Sequence, residues 1–75
     1  MALDKPLEFS EHARELIAGR GLTEDHVRYC REHNTNGYHS GEFEIWACSL
    51  PDNRRVKVKV VEEEQYFLVI YAHPY

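Results

Sequence analysis

The segment from residue 54 to residue 61 constrains the fold more than any other part of the sequence. Its valines and its basic residues alternate strictly, with Val56, Val58 and Val60 set against Arg55, Lys57 and Lys59. A period of two is that of a β-strand with one buried side and one side in water. We therefore predict a strand at 54–61 whose valines face a core and whose cations face solvent.

Two further strands are predicted beside it. Residues 42–50 alternate Phe43, Ile45 and Ala47 with Glu44, Trp46 and Cys48. Residues 65–72 are apolar at nearly every position, which is typical of a central strand covered on both faces. Turn sequences at 51–53 and 62–64 separate the three segments and favour an antiparallel meander.

The first part of the chain is predicted to be helical. Ser10 caps a helix over residues 11–18, and Thr23 begins a second helix. Apolar residues spaced three or four apart give each helix an inner face: Ala13, Leu16 and Ile17 in the first, Val27 and Cys30 in the second. The apolar lead-in at 7–9 predicts a short edge strand, and the Asn-Gly step within 34–41 predicts a loop or a tight reversal.

These elements predict a single α+β domain over residues 1–75, with two N-terminal helices packed on one face of an antiparallel sheet of three or four strands. So short a chain builds only a small core, and we expect a monomer or a homodimer. The longest apolar run, 66–72, is far shorter than the roughly 20 residues of a membrane helix. Residues 1–6 lack the pattern of a secretory signal. The sequence therefore predicts a cytoplasmic protein without a membrane partner.

The charge distribution excludes one class of nucleic-acid-binding protein and indicates where a polyanion could bind. A net charge of −4 argues against a protein that coats nucleic acid non-specifically, because that mode requires many phosphate contacts from Lys and Arg. Four of the nine basic residues nevertheless lie within residues 54–59. Three of them, Arg55, Lys57 and Lys59, are predicted on the sheet face opposite the helices, which is where we expect a polyanion to bind.

Short motifs resemble a known family. The sequence Phe9-Ser10-Glu11-His12-Ala13, followed by Arg20-Gly21-Leu22-Thr23 and later by Val-Lys-Val-Lys-Val, is similar to the small bacterial proteins called domain of unknown function 4258. Those proteins resemble the BrnT and RelE superfamily of ribonuclease toxins. The likeness covers nearly the whole chain. It implies a RelE-like fold, metal-independent cleavage of RNA, and control by an antitoxin protein.

Cleavage of RNA without a metal needs a base for the 2′-hydroxyl, a cation for the phosphorane and an acid for the leaving 5′-oxygen. The resemblance implies catalytic roles for His12 and Arg20, which match the histidine and the arginine of the family. Lys57 and Tyr71 are further candidates, as a neutralising cation and a proton donor, with His73 as an alternative donor. Each also has a structural interpretation, such as a helix–sheet hydrogen bond, an ion pair or a solvated row of charges.

RNA contacts are predicted for three cations, Arg55, Lys57 and Lys59. Trp46 is predicted to stack on bases, together with Tyr38 and Tyr66, if these rings flank the basic strand. Packing in the core is the alternative for aromatic residues in so small a chain.

A zinc site is the second constellation in the sequence. His26, Cys30 and His33 are spaced four and three apart, which places them along one stripe of the second helix. Cys30 shares its face with Val27, however, and there a thiol acts as a small hydrophobic side chain. We therefore predict no metal and no cofactor.

One alternative function stays open. A non-catalytic interaction module would keep the fold and bind a protein partner through a strand edge or the basic face. The net negative charge favours it, as does Leu16, which stands where many members of the family have a basic residue.

Overall fold

The computed structural model describes residues 5–35 and 37–75. Its elements in chain order are β1 (Leu7–Phe9), α1 (Glu11–Gly19), α2 (Glu24–Glu32), β2 (Tyr38–Ser40), β3 (Phe43–Ser49), β4 (Arg55–Glu62) and β5 (Phe67–Pro74). The strands form one sheet in the order β1-β5-β4-β3-β2. The predicted α+β class with two helices is confirmed.

The sheet is mixed and has five strands, which corrects the prediction of an antiparallel sheet with three or four. Strands β2 to β5 pair antiparallel in sequence, whereas β1 pairs in parallel with β5 and places Leu7 opposite Phe67. Leu7 and Phe9 pack against the core. The burial of these two apolar side chains stabilises the pairing of β1 with β5.

Side-chain caps fix where both helices begin. The Ser10 side chain accepts a hydrogen bond from the backbone N–H of Ala13 at 3.0 Å. At α2, the Thr23 side chain accepts from His26 N–H, and His26 Nδ1 accepts from Thr23 N–H, which forms a capping box. Both predicted caps are confirmed. Among the residues described, no helix has the length and apolar character needed to cross a membrane.

The core lies between the helices and one face of the sheet. Val56, Val58 and Val60 are fully buried. They pack with Ile17 of α1 and Val27 of α2 in a single apolar cluster. The period of two in β4 therefore assigns its faces correctly, and its cations lie on the side away from the helices.

Strand β5 differs from its prediction. Phe67, Val69 and Ala72 are buried, so the spacing of the inward residues changes from two to three along the strand. The register shows why: Val69 pairs with Val60 and Tyr71 with Lys59, which leaves Ile70 as the extra residue of a β-bulge. The composition of β5 predicts a strand that is buried on both faces. In the structure, the residues on the side away from the core are only partly buried, so this prediction is wrong.

The predicted loop at 34–41 contains a strand. Ser40 pairs with Phe43 across a two-residue turn whose first residue, Gly41, has φ +62°. Glycine adopts this conformation without the steric cost that a side chain brings. Asn34 continues along the same strand edge, since its Oδ1 accepts from Ala47 N–H at 3.1 Å. Asn36, part of the predicted Asn-Gly step, lies outside the residues described.

Candidate nucleic-acid interface

The sheet face opposite the helices, which we call the open face, carries the predicted cations. Paired residues on neighbouring strands project to the same side, so their side chains form rows across the sheet. One row is Tyr38, Ile45, Lys59 and Tyr71. The next row is Ala47, Lys57 and His73. The register thus interleaves basic and aromatic side chains on one surface.

Aromatic rings hold the ammonium groups of both lysines. Lys59 Nζ lies 3.9 Å from the ring centroid of Phe43 and 5.7 Å from that of Tyr71. Lys57 Nζ lies 4.8 Å from the ring centroid of Tyr75, which Arg55 also approaches at 5.3 Å. Cation–π attraction positions the lysine heads without removing their charge. The open face therefore presents ordered positive groups.

The three open-face cations differ from other basic residues in their partners. Several other basic residues form ion pairs with carboxylates, among them Lys5 with Glu62, Arg14 with Glu24, Arg28 with Asp25, and Arg54 with Asp52. Within residues 5–35 and 37–75, none of Arg55, Lys57 and Lys59 has a carboxylate within ion-pair distance. A chain of net charge −4 thus keeps a local positive surface.

A groove lies beside this surface, at the edge of β5 that extends beyond β1. Arg20, Tyr71, His73 and Pro74 line it, and we call it the Arg20 groove. Arg20 reaches it from the end of α1 and donates from Nη1 to the Ala72 carbonyl at 3.3 Å. The rings of Tyr71 and His73 are 5.1 Å apart. A guanidinium, a phenol and an imidazole therefore line the same shallow groove.

The four residues predicted as catalytic are divided between two regions. Arg20 and Tyr71 line the same groove, and Lys57 is the cross-strand neighbour of its third side chain, His73. His12 is exposed near the start of α1 and is not among the lining residues. Eight helical residues span roughly 12 Å, which separates the backbone of His12 from that of Arg20. The sequence predicts His73 only as an alternative proton donor. Its position two residues after Tyr71 on the same strand already indicates that the two side chains share a face.

Trp46 lies in the core instead of on the open face. Its side chain is only 4% exposed, and its ring meets Phe67 edge-on at 5.3 Å. Its Nε1–H donates to Glu44 Oε1 at 3.0 Å, which satisfies the indole among apolar neighbours. Trp46 cannot stack on a base from this position, whereas Tyr38 is 51% exposed on the open face.

The residues of the zinc alternative have separate structural partners. Cys30 and Cys48 are buried. Burial raises the pKa of the Cys30 thiol, and the adjacent Cys48 raises it further. His26 belongs to the α2 capping box and His33 stacks on Tyr29 at 4.1 Å. In the described part of the chain, no three His, Cys, Asp or Glu side chains form a group that could hold a metal ion.

Comparisons with known protein families, with curated proteins and with solved structures find no match for this chain. The function is therefore inferred from the geometry of the open face and of the Arg20 groove.

Proposed function

We propose that this protein binds single-stranded RNA across the open face of its sheet. The observation that supports this most directly is the row of Arg55, Lys57 and Lys59. These cations stand among aromatic rings, and no carboxylate of the described residues lies within ion-pair distance of them. Phosphates of a nucleic acid backbone are the ligands that such a row attracts.

Aromatic side chains on the same face favour a single strand over a duplex. Tyr38 is exposed, and Phe43 and Tyr71 are partly exposed on either side of Lys59. Unpaired bases stack on such rings, whereas bases inside a duplex are already stacked on each other. The spacing of cations and rings along neighbouring strands suits a chain that alternates phosphates and bases.

The family resemblance supports RNA as the polyanion and extends the proposal to cleavage. The order of a short first strand, two helices and an antiparallel meander follows the order of motifs that the resemblance uses. Arg20, which matches the arginine of the family, shares its groove with Tyr71. We propose a RelE-like ribonuclease toxin, controlled by an antitoxin protein, as the biological setting of this RNA contact.

The binding test compares two double variants that remove the same charge from different surfaces. Replacing Lys57 and Lys59 by Gln should weaken binding of a fluorescein-labelled single-stranded RNA at least tenfold in an anisotropy titration. It should also flatten the dependence of log K on log salt by about 1.4, since each phosphate contact to a single strand contributes roughly 0.7.

The matched control replaces Arg14 and Arg28, which are ion-paired on the helices, by Gln. This variant carries the same net charge and should bind RNA within about twofold of the wild type. Equal weakening by both pairs would show that overall charge, and not the open face, governs binding. Failure of the wild type to bind RNA would overturn the proposal.

A non-catalytic interaction module is the second candidate function. One end of the open face favours it, because Phe43, Val61, Leu68 and Ile70 form an apolar area that is only partly buried. A protein partner that covers this area would gain hydrophobic stabilisation that a nucleic acid backbone cannot supply. If this function is the correct one, the protein should leave RNA uncleaved. Replacing Tyr71 or Arg20 should then cause no loss of partner binding.

A further inference from the structure

We propose that His73 is the general base of RNA cleavage in the Arg20 groove. This inference rests on the proposed function, since it assigns a role within the same site. It depends on three observations: the groove itself, the hydrogen bond that orients the His73 ring, and the side chains of Arg20 and Tyr71 that line the groove with it.

The orientation of His73 follows from its hydrogen bond. Its Nδ1 lies 2.9 Å from the carbonyl oxygen of Pro74. A carbonyl oxygen only accepts, so Nδ1 carries the hydrogen and donates it. The neutral ring then has its lone pair on Nε2, which is the atom able to take a proton. The backbone thus selects the tautomer that a general base requires.

The neighbours of His73 supply the other functions of the reaction. Arg20 keeps further guanidinium N–H groups beyond the Nη1 contact with Ala72, and these can bind phosphoryl oxygens. Tyr71 brings a phenol O–H to the same groove, with its ring 5.1 Å from that of His73. Lys57, opposite His73 on β4, adds positive charge beside the scissile phosphate.

The step balances as an internal transfer of the phosphoryl group. His73 Nε2 takes the proton of the 2′-hydroxyl while the 2′-oxygen forms a bond to phosphorus. The bond between phosphorus and the 5′-oxygen breaks as Tyr71 gives its hydroxyl proton to that oxygen. The products are a 2′,3′-cyclic phosphate and a 5′-hydroxyl, and proton exchange with water restores His73 and Tyr71.

The test compares histidine variants on one substrate. The probe is a single-stranded RNA oligonucleotide with a fluorophore and a quencher at its ends. His73→Gln should lower the cleavage rate at least about 100-fold, the usual contribution of a general base, with RNA affinity within about twofold of the wild type. His39→Gln is the matched control, because His39 is exposed on β2 and pairs with Glu44 on the other side of the sheet.

Two further measurements keep the assignment falsifiable if His73→Gln folds poorly. Tyr71→Phe should reduce cleavage to a similar degree while circular dichroism stays unchanged. The pH profile of the wild-type cleavage rate should also have an acid limb, and this limb should be absent from the residual activity of His73→Gln.

The outcomes separate this inference from the proposed function. Wild-type protein that binds the oligonucleotide but leaves it intact overturns the role of His73 and preserves RNA binding. Protein that does not bind the oligonucleotide overturns the proposed function itself. Loss of cleavage in His12→Gln, with full activity in His73→Gln, overturns the assignment to His73 in favour of the histidine on α1.

Discussion

Val58 and Val61 occupy the same strand but different environments. Val58 is fully buried against the helices, whereas Val61 is partly exposed on the open face. Val58→Ala should lower the free energy of unfolding by about 1–3 kcal/mol, because it removes two buried methyl groups and leaves a cavity. Val61→Ala should cost less than half as much, and urea unfolding of both variants measures the difference. Equal losses would show that the open face is covered in solution.

Single residues also show what the sequence could and could not predict. The alternation in β4 placed the valines and the cations correctly because only one of its two sides is apolar. In β3 both sides contain apolar residues, so the pattern did not reveal that Trp46 faces the helices while Ile45 faces the open side. The buried face of a strand can be assigned from the sequence when its other face is polar. The assignment is ambiguous when both faces carry apolar or aromatic residues.

The turn between β3 and β4 depends on one residue with an unusual backbone conformation. Asn53 has φ +72°, and its N–H donates to the Leu50 carbonyl at 2.9 Å. Asn53→Ala should lower the free energy of unfolding by about 1 kcal/mol, since Ala lacks the short polar side chain that lets Asn adopt this region, whereas Asn53→Gly should be nearly neutral. Thermal unfolding of the two variants tests this. A stable alanine variant would mean that the turn adopts another conformation.

At the scale of elements, local signals were predictable and long-range pairing was not. Ser10 and Thr23 mark their helices through chemistry contained within four residues. The parallel pairing of β1 with β5 has no local signature, because it depends on which strand edge remains free after the meander forms. The sequence did not predict the bulge at Ile70 either. A bulge shifts the alternation of apolar and polar residues, and a continuous apolar segment has no such alternation.

The two thiols report on the stability of the whole molecule. Cys30 and Cys48 lie in the core, and burial raises the pKa of Cys30. Burial shields both thiols from reagents in solution, and the raised pKa of Cys30 also disfavours its reactive thiolate. Both thiols should therefore stay unmodified by a chromogenic disulfide reagent over the minutes in which protein in guanidinium reacts fully. Rapid reaction of one thiol in the native protein would reveal local opening of α2 or β3.

The residues predicted as catalytic do not all lie together. Arg20 and Tyr71 line one groove, Lys57 is the cross-strand neighbour of His73 in that groove, and His12 lies elsewhere on α1. The resemblance works on short motifs, and a motif carries no information about which strand edge its side chains will face. The contact of Arg20 with the Ala72 carbonyl on β5 brings the arginine to the groove that His73 lines, and no short motif encodes that contact.

The pairing of β1 with β5 also bears on how this chain matures on the ribosome. Leu7 emerges from the exit tunnel long before its partner Phe67 has been synthesised. Until then β1 has no neighbouring strand, and the apolar surface that it later covers is open to chaperones and to aggregation. The domain therefore completes its fold only when β5 is free of the tunnel, and every truncated translation product that lacks β5 should be a substrate for proteolysis.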